Sequence, residues 1–158
     1  MSNATAIEDR QMAYDPAVRP ELFDGVRTRR IFAFFVDSAF ILALMVMAAV
    51  MIVVLGVFTL GLGWLLLPLV WPFVAILYTM FTLGGRHSAT PGMRVTGIRM
   101  HTWYGEPIYP LLALVHAIGF WFSVTLLTPF IMLVSLFSPQ KRLLHDIVLG
   151  TVVIRDNL

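Results

Sequence analysis

No cysteine occurs in the 158 residues, which excludes disulfides, thiolate nucleophiles and cysteine-bound zinc and leaves the redox compartment unmarked. Charge is also scarce: 13% of residues are Asp, Glu, Lys or Arg, against roughly 25% in an average soluble domain. The formal net charge of +2 is too small for a nucleic-acid binder, and no block of Lys and Arg forms a face that follows a phosphate backbone. Catalytic signatures are missing too. His87, His101, His116 and His145 have no metal-ligand spacing along the chain, and no HExxH occurs. Ser38, Ser123 and Ser135 lack the surroundings of a nucleophile elbow, and no glycine-rich phosphate loop follows a strand. The sequence therefore predicts no enzyme, no catalytic residue, no metal site and no cofactor. It contains no internal repeats.

What fills the chain is apolar. Hydrophobic residues make up 59% and the mean hydropathy is +0.86, far outside soluble averages, so the expected class is an integral membrane protein. Three tracts carry this character, Ile31 to about Leu60, Leu62 to Leu83 and Leu111 to Phe137, each long enough for the roughly 20 residues that cross ~30 Å of hydrocarbon. Gly61 and Gly63 are expected to turn the first two into a hairpin, and Pro68 and Pro72 to kink the second. The first tract is not expected to be a signal peptide. It follows a polar stretch, outruns the ~7–15 residues of an h-region and ends in no small-residue cleavage site.

Lys and Arg near the tracts set the orientation. Arg10, Arg19, Arg27, Arg29 and Arg30 precede the first tract, and Arg86, Arg94 and Arg99 follow the second, while the turn between them has none. The N-terminus and the middle loop are expected to be cytoplasmic. Lys141, Arg142 and Arg155 follow the third tract, which a single crossing would place outside. One reading breaks the tract at Gly119 and Pro129 into a re-entrant pair of half-length helices; the other keeps a plain third span. The fold class is thus an all-α membrane protein, a small bundle of two full spans and a third tract that crosses or returns, with a short cytoplasmic β element. That element is expected from the alternating Met93 to His101 and from Thr151 to Ile154, with Tyr104 to Pro107 as a turn. Residues 1–24 read as a mobile N-terminal cytoplasmic arm and 25–158 as the transmembrane domain.

Within RRIFAFFVD, Arg29 to Asp37, Arg30 and Asp37 lie seven residues apart. On a helix they share a face with a rise of about 10.5 Å between them. That is too far for a direct pair unless Arg30 extends, so a third polar group between them is expected. The bland alternative has the arginines snorkelling to lipid phosphates and Asp37 hydrated at the headgroup boundary. Carboxylates within spans are costly, however, and usually face a partner inside the bundle.

Three stretches together resemble the RDD family of small bacterial membrane proteins: the Arg30 and Asp37 pair; the loop His87-Ser88-Ala89-Thr90-Pro91-Gly92-Met93-Arg94 followed by Gly97-Ile98-Arg99; and the closing run from Ser138 through Leu144-His145-Asp146 to Gly150-Thr151. The likeness covers about Gly25 to Arg155, and the LHD followed by GT is its most specific part. The naming arginine and aspartates fall on Arg30, Asp37 and Asp146. Met93 departs from the pattern, because members often carry lysine there. The resemblance implies a multi-pass protein of the bacterial cytoplasmic (inner) membrane, and transport, including cation/proton exchange, as one function. With Asp146 on a cytoplasmic tail, it also suggests an Asp37–Arg30–Asp146 cluster at the membrane boundary, serving as a structural clasp or as an ion site.

The remaining signals are weaker. His116, inside an apolar tract, is a possible intramembrane polar residue most simply read as a helix–helix hydrogen bond. Trp64 and Trp71 mark an interface at one end of the second span, Trp103 reaches headgroups, and Ala39 with Ala43 permits close helix approach. Two function classes remain. One is transport of a cation or proton as a homo-oligomer, since three short spans enclose no pathway alone. The other is a non-catalytic module that binds a membrane protein partner or lipid through its cytoplasmic face, with Arg86 to Glu106 as the contact. The lipid bilayer is a partner in both, and nucleic acid in neither.

Overall fold

The structure is a computed structural model describing residues 14–127 and 138–156. Helix α1, Val26–Phe58, has 33 residues and is about 50 Å long at 1.5 Å per residue. It starts ahead of the apolar tract, after Gly25 in the left-handed conformation (φ 65°), so Arg27, Arg29 and Arg30 are helical residues. Along most of its length the apolar side chains point outward: Phe35, Met51 and Phe58 are 64%, 68% and 81% exposed. A soluble helix does not leave such residues in water, and a lipid-facing one does.

The expected hairpin forms. Leu60 and Gly61 take positive φ, a 3-10 turn covers Leu62–Leu66, and α2 runs Leu67–Leu83. A Cβ on Gly63 would lie 2.8 Å from the Gly56 nitrogen, so the backbones touch there, and the Thr59 hydroxyl accepts the Gly63 N–H at 2.9 Å. This glycine contact brings the helices together. Ala39 and Ala43, expected to do so, are exposed. Pro68 is also corrected: it occupies the first turn of α2, where no helical donor is lost. Only Pro72 lies inside the helix.

After α2 the chain forms a short helix α3, Pro91–Val95, strand β1, Ile98–Thr102, and helix α4, Pro110–Leu127. Helix α5, Leu144–Leu149, leads into β2, Thr151–Arg155. The expected strand from Met93 to His101 is thus helical at its start. Thr90 caps it, its hydroxyl accepting the Met93 N–H at 3.2 Å, and Pro91 follows with its φ already suited to a helix. The turn at Tyr104 to Pro107 is present, closed by Gly105 N–H to Thr102 O at 2.9 Å.

Strands β1 and β2 pair antiparallel, with Ile98 opposite Arg155, Met100 opposite Val153 and Thr102 opposite Thr151. β1 precedes the third apolar tract and β2 follows it, so the described residues on either side of the tract meet in one sheet. A single crossing would separate the strands by ~30 Å. Pro129 lies outside the described residues. Gly119, expected to interrupt the tract, sits inside α4, where its missing side chain admits the Cβ of His145 at 3.5 Å from an added Cβ.

The packed core lies at this end, beneath the sheet. Val26, Ala33, Leu83, Met93, Ile98, Met100, Ala113 and Val153 belong to it, and Leu22 and Phe23 pack on Val152 and Ile154 on the other face. The last part of the expected mobile arm is therefore folded: Pro20–Phe23 is a 3-10 turn, and Leu22 and Phe23 are buried. Their apolar side chains complete a sheet face that two strands cannot cover alone.

Candidate functional site: two carboxylate clusters

Asp37 and Asp146 occupy separate clusters, which corrects the expected Asp37–Arg30–Asp146 arrangement. Asp37, on α1, accepts three short hydrogen bonds. Its Oδ1 takes the Tyr78 hydroxyl from α2 at 2.6 Å and the Gly92 N–H at 2.8 Å, and its Oδ2 takes the Thr90 hydroxyl at 2.6 Å. The carboxylate ties α1, α2 and the start of α3 together. Gly92 is required for this approach, since a Cβ there would stand 2.2 Å from the Ala33 carbonyl and 2.8 Å from the Asp37 carboxyl carbon. The preceding Ser88 is used internally as well, its hydroxyl accepting the Ile108 N–H at 2.9 Å. Met93, the departure from the family pattern noted in the sequence, is buried in the core.

Arg30 points instead to the tail. Its Nη1 donates to Asp146 Oδ2 at 2.5 Å, the Leu143 N–H donates to the same oxygen at 3.1 Å, and the Thr151 hydroxyl reaches Oδ1 at 3.4 Å. Asp146 is fully buried. Burial by itself pushes its carboxyl up, but the Arg30 guanidinium outweighs this and holds it well below the usual carboxylate range. Arg142 braces the tail. It donates to the backbone carbonyls of Thr151 at 3.0 Å and Asp146 at 3.1 Å, and its guanidinium lies 4.8 Å from the Trp103 ring centre, which accounts for a tryptophan expected to reach headgroups.

His116 and His145 complete this second cluster. His145 Nε2 is 3.5 Å from Asp146 Oδ1, His116 Nδ1 is 3.8 Å from the same atom, and the two rings meet edge to face at 4.8 Å. Burial, reinforced by Arg30, lowers the His145 pKa, so its imidazole is neutral at ordinary pH. Four buried nitrogens here have no hydrogen-bond partner: Arg30 Nε and Nη2, His116 Nδ1 and His145 Nδ1. Buried polar atoms are nearly always paired, so this concentration marks the cluster as chemically unusual. His116 does not simply bond across helices, as expected from the sequence; it faces a carboxylate and a second histidine. No local spacing links residues 116 and 145. The available signal was Gly119, one turn beyond His116 on the same face, which lets α5 sit against α4.

The other sequence signals resolve into contacts. Trp64 lies over Gly56 and donates to Val53 O at 3.2 Å, Trp71 meets Trp121 edge-on at 5.1 Å, Arg29 donates to the Thr96 carbonyl, and Arg99 binds Asp156 through Nε at 3.0 Å.

Two helices of spanning length and apolar composition, joined by a glycine hairpin and carrying their charged clusters at one end, define a helical integral membrane protein. The chain belongs to the RDD family, whose model matches residues 25–150, a span containing Arg30, Asp37 and Asp146. Comparison with curated proteins and with solved structures gave no match.

Proposed function

We propose that this RDD-family protein is a non-enzymatic transporter that binds a cation at the His116–His145–Asp146 cluster and moves it, alone or in exchange for a proton, as a homo-oligomer. The observation that carries this reading is that His116 Nδ1, buried without a hydrogen-bond partner, and His145 Nε2 both face the one buried Asp146 carboxylate, at 3.8 Å and 3.5 Å. A purely structural clasp would pair its polar atoms, as Asp37 does. The homo-oligomer belongs to this reading because α1 and α2, whose outward faces are apolar, line no polar path by themselves. The membrane is the bacterial inner membrane, with the N-terminus and the tail both cytoplasmic. The arginines before α1 and after α2 favour that orientation, and the β1–β2 pairing supports a tail on the same side.

A module that binds a partner through Arg86 to Glu106 is the less supported reading, because Ser88, Ala89, Thr90, Gly92 and Met93 of that loop are buried within the chain. The test is cation-dependent pH change and cation uptake in vesicles carrying wild type, His116→Gln or Asp37→Asn. Flux by wild type and Asp37→Asn, lost in His116→Gln, is expected. A wild-type vesicle that moves no cation at any pH would discard transport.

A further inference from the structure

We infer that His116, His145 and Asp146 form a binding site for a divalent transition-metal ion of the zinc type. This rests on reading the cluster as a cation site and specifies which cation it takes. One ligand atom from each of the three residues lies within 4.8 Å of the others, and all three side chains are more than nine-tenths buried. The separations are informative. At 3.5 Å and 3.8 Å from Asp146 Oδ1, the imidazole nitrogens are too distant for good N–H···O bonds, which centre near 2.9–3.0 Å. Ligands about 2.1 Å from a tetrahedral ion stand roughly 3.4 Å from one another. The three donors are thus spaced to share an ion with slight closure, and poorly spaced to bond among themselves. His116 Nδ1, buried and unpartnered, faces the carboxylate directly.

The donor set selects the ion class. Two imidazoles and one carboxylate suit zinc, cobalt or nickel, whereas magnesium and calcium require shells of oxygen. Arg30 completes the design from outside: it occupies Oδ2 at 2.5 Å and so turns Oδ1 toward the histidines, as outer-shell partners of ligating carboxylates do. Three protein ligands leave a fourth position for water or an anion, which the adjacent Arg30 charge favours.

The experiment uses full-length protein in detergent, purified without a polyhistidine tag, treated with chelator and titrated with Co²⁺ and then Zn²⁺. One equivalent of Co²⁺ is expected to give the visible absorption of a tetrahedral site, and Zn²⁺ to displace it and raise the melting temperature. His116→Gln and His145→Gln, on different helices, are each expected to weaken binding by more than the ~10–100-fold typical of an outer-shell change, and to abolish the thermal response. Asp37→Asn should bind as wild type does. Absence of stoichiometric Co²⁺ or Zn²⁺ binding overturns the inference, as does binding that persists in both histidine variants. The two readings separate cleanly: Na⁺, K⁺ or H⁺ flux by a protein that binds neither metal keeps transport and refutes the metal site, while histidine-dependent metal binding without flux supports the site and refutes transport.

Discussion

Replacing Arg30 by Ala removes the ion-pair partner of a carboxylate that has no exposure to solvent. Breaking a buried pair from one side costs about 3–5 kcal/mol, because the remaining charge is stranded. The Leu143 N–H and Thr151 hydroxyl stay in place but supply dipoles only. For a chain of this size ~2–4 °C of melting temperature accompanies each kcal/mol, so a loss of about 6–20 °C is expected at pH 7.5. The pH dependence carries a definite sign. In the wild type Asp146 is held below its ordinary 3.8, so its contribution is fully present above that value and is lost only as pH falls through it toward the folded-state value. His145, lowered from 6.5, makes the wild type lose stability as pH falls below 6.5, because the unfolded chain takes up that proton first. Without Arg30, burial raises the Asp146 pKa, and the folded variant takes up a proton that the unfolded chain does not. Acidification from 7.5 to 5 should therefore narrow the gap between variant and wild type. The assay is thermal unfolding of chelator-treated protein in detergent at both pH values. A variant melting within ~2 °C of wild type at pH 7.5, or a gap that widens toward pH 5, would refute the reasoning. Arg30→Met combined with Asp146→Leu should recover most of the loss, since a well-packed apolar pair often equals a buried ionic one.

Asp37→Asn should lower stability by about 1–3 kcal/mol, because the amide nitrogen meets hydroxyl and N–H donors where an oxygen accepted them; unfolding in detergent reads this, and an unchanged melting temperature would remove Asp37 as the tie between α1, α2 and α3. Gly92→Ala should prevent recovery of a monodisperse protein on size exclusion, given the 2.2 Å approach of its Cβ to Ala33 O. Gly150→Ala, at φ 64° with nothing near its added Cβ, should cost only about 1–2 kcal/mol of backbone strain and still yield folded protein.

Much of this architecture is legible in the sequence because it rests on local, repeating signals. The hydropathy of α1 and α2, the glycines of the hairpin and the two short strands all follow from period and turn chemistry. Pairing of β1 with β2 was implied by the basic residues of the tail, and the reach of Arg30 to Asp146 by the family pattern. What stayed hidden is non-local. Asp37 finds Tyr78, Thr90 and Gly92 only after the hairpin folds, and nothing in the spacing of an arginine and an aspartate seven residues apart reveals that they turn to different neighbours. The alternation from Met93 onward is a strand signal that the Thr90-Pro91 cap overrides, starting a helix at Pro91. Pro68 has the look of a kink in the sequence because the 3-10 turn that moves the helix start to Leu67 has no separate sequence mark. His116 and His145 meet only through the docking of α5 on Gly119, a packing event between elements far apart in sequence.

The separation of the two aspartates also sets an order of assembly during synthesis. Every partner of Asp37 has been made once the ribosome has passed Gly92, 55 residues later, whereas the partner of Arg30 appears 116 residues after it. The helical hairpin can therefore lock while the chain is still growing, with β1 waiting as an open edge and Arg30 without its counter-ion. Closure then depends on the final segment from Leu143 to Arg155, which delivers α5, Asp146 and the second strand together. A nascent chain stopped before that segment holds a finished hairpin and an unneutralised arginine beside an unpaired strand, the kind of partly built species that quality-control proteases and chaperones engage.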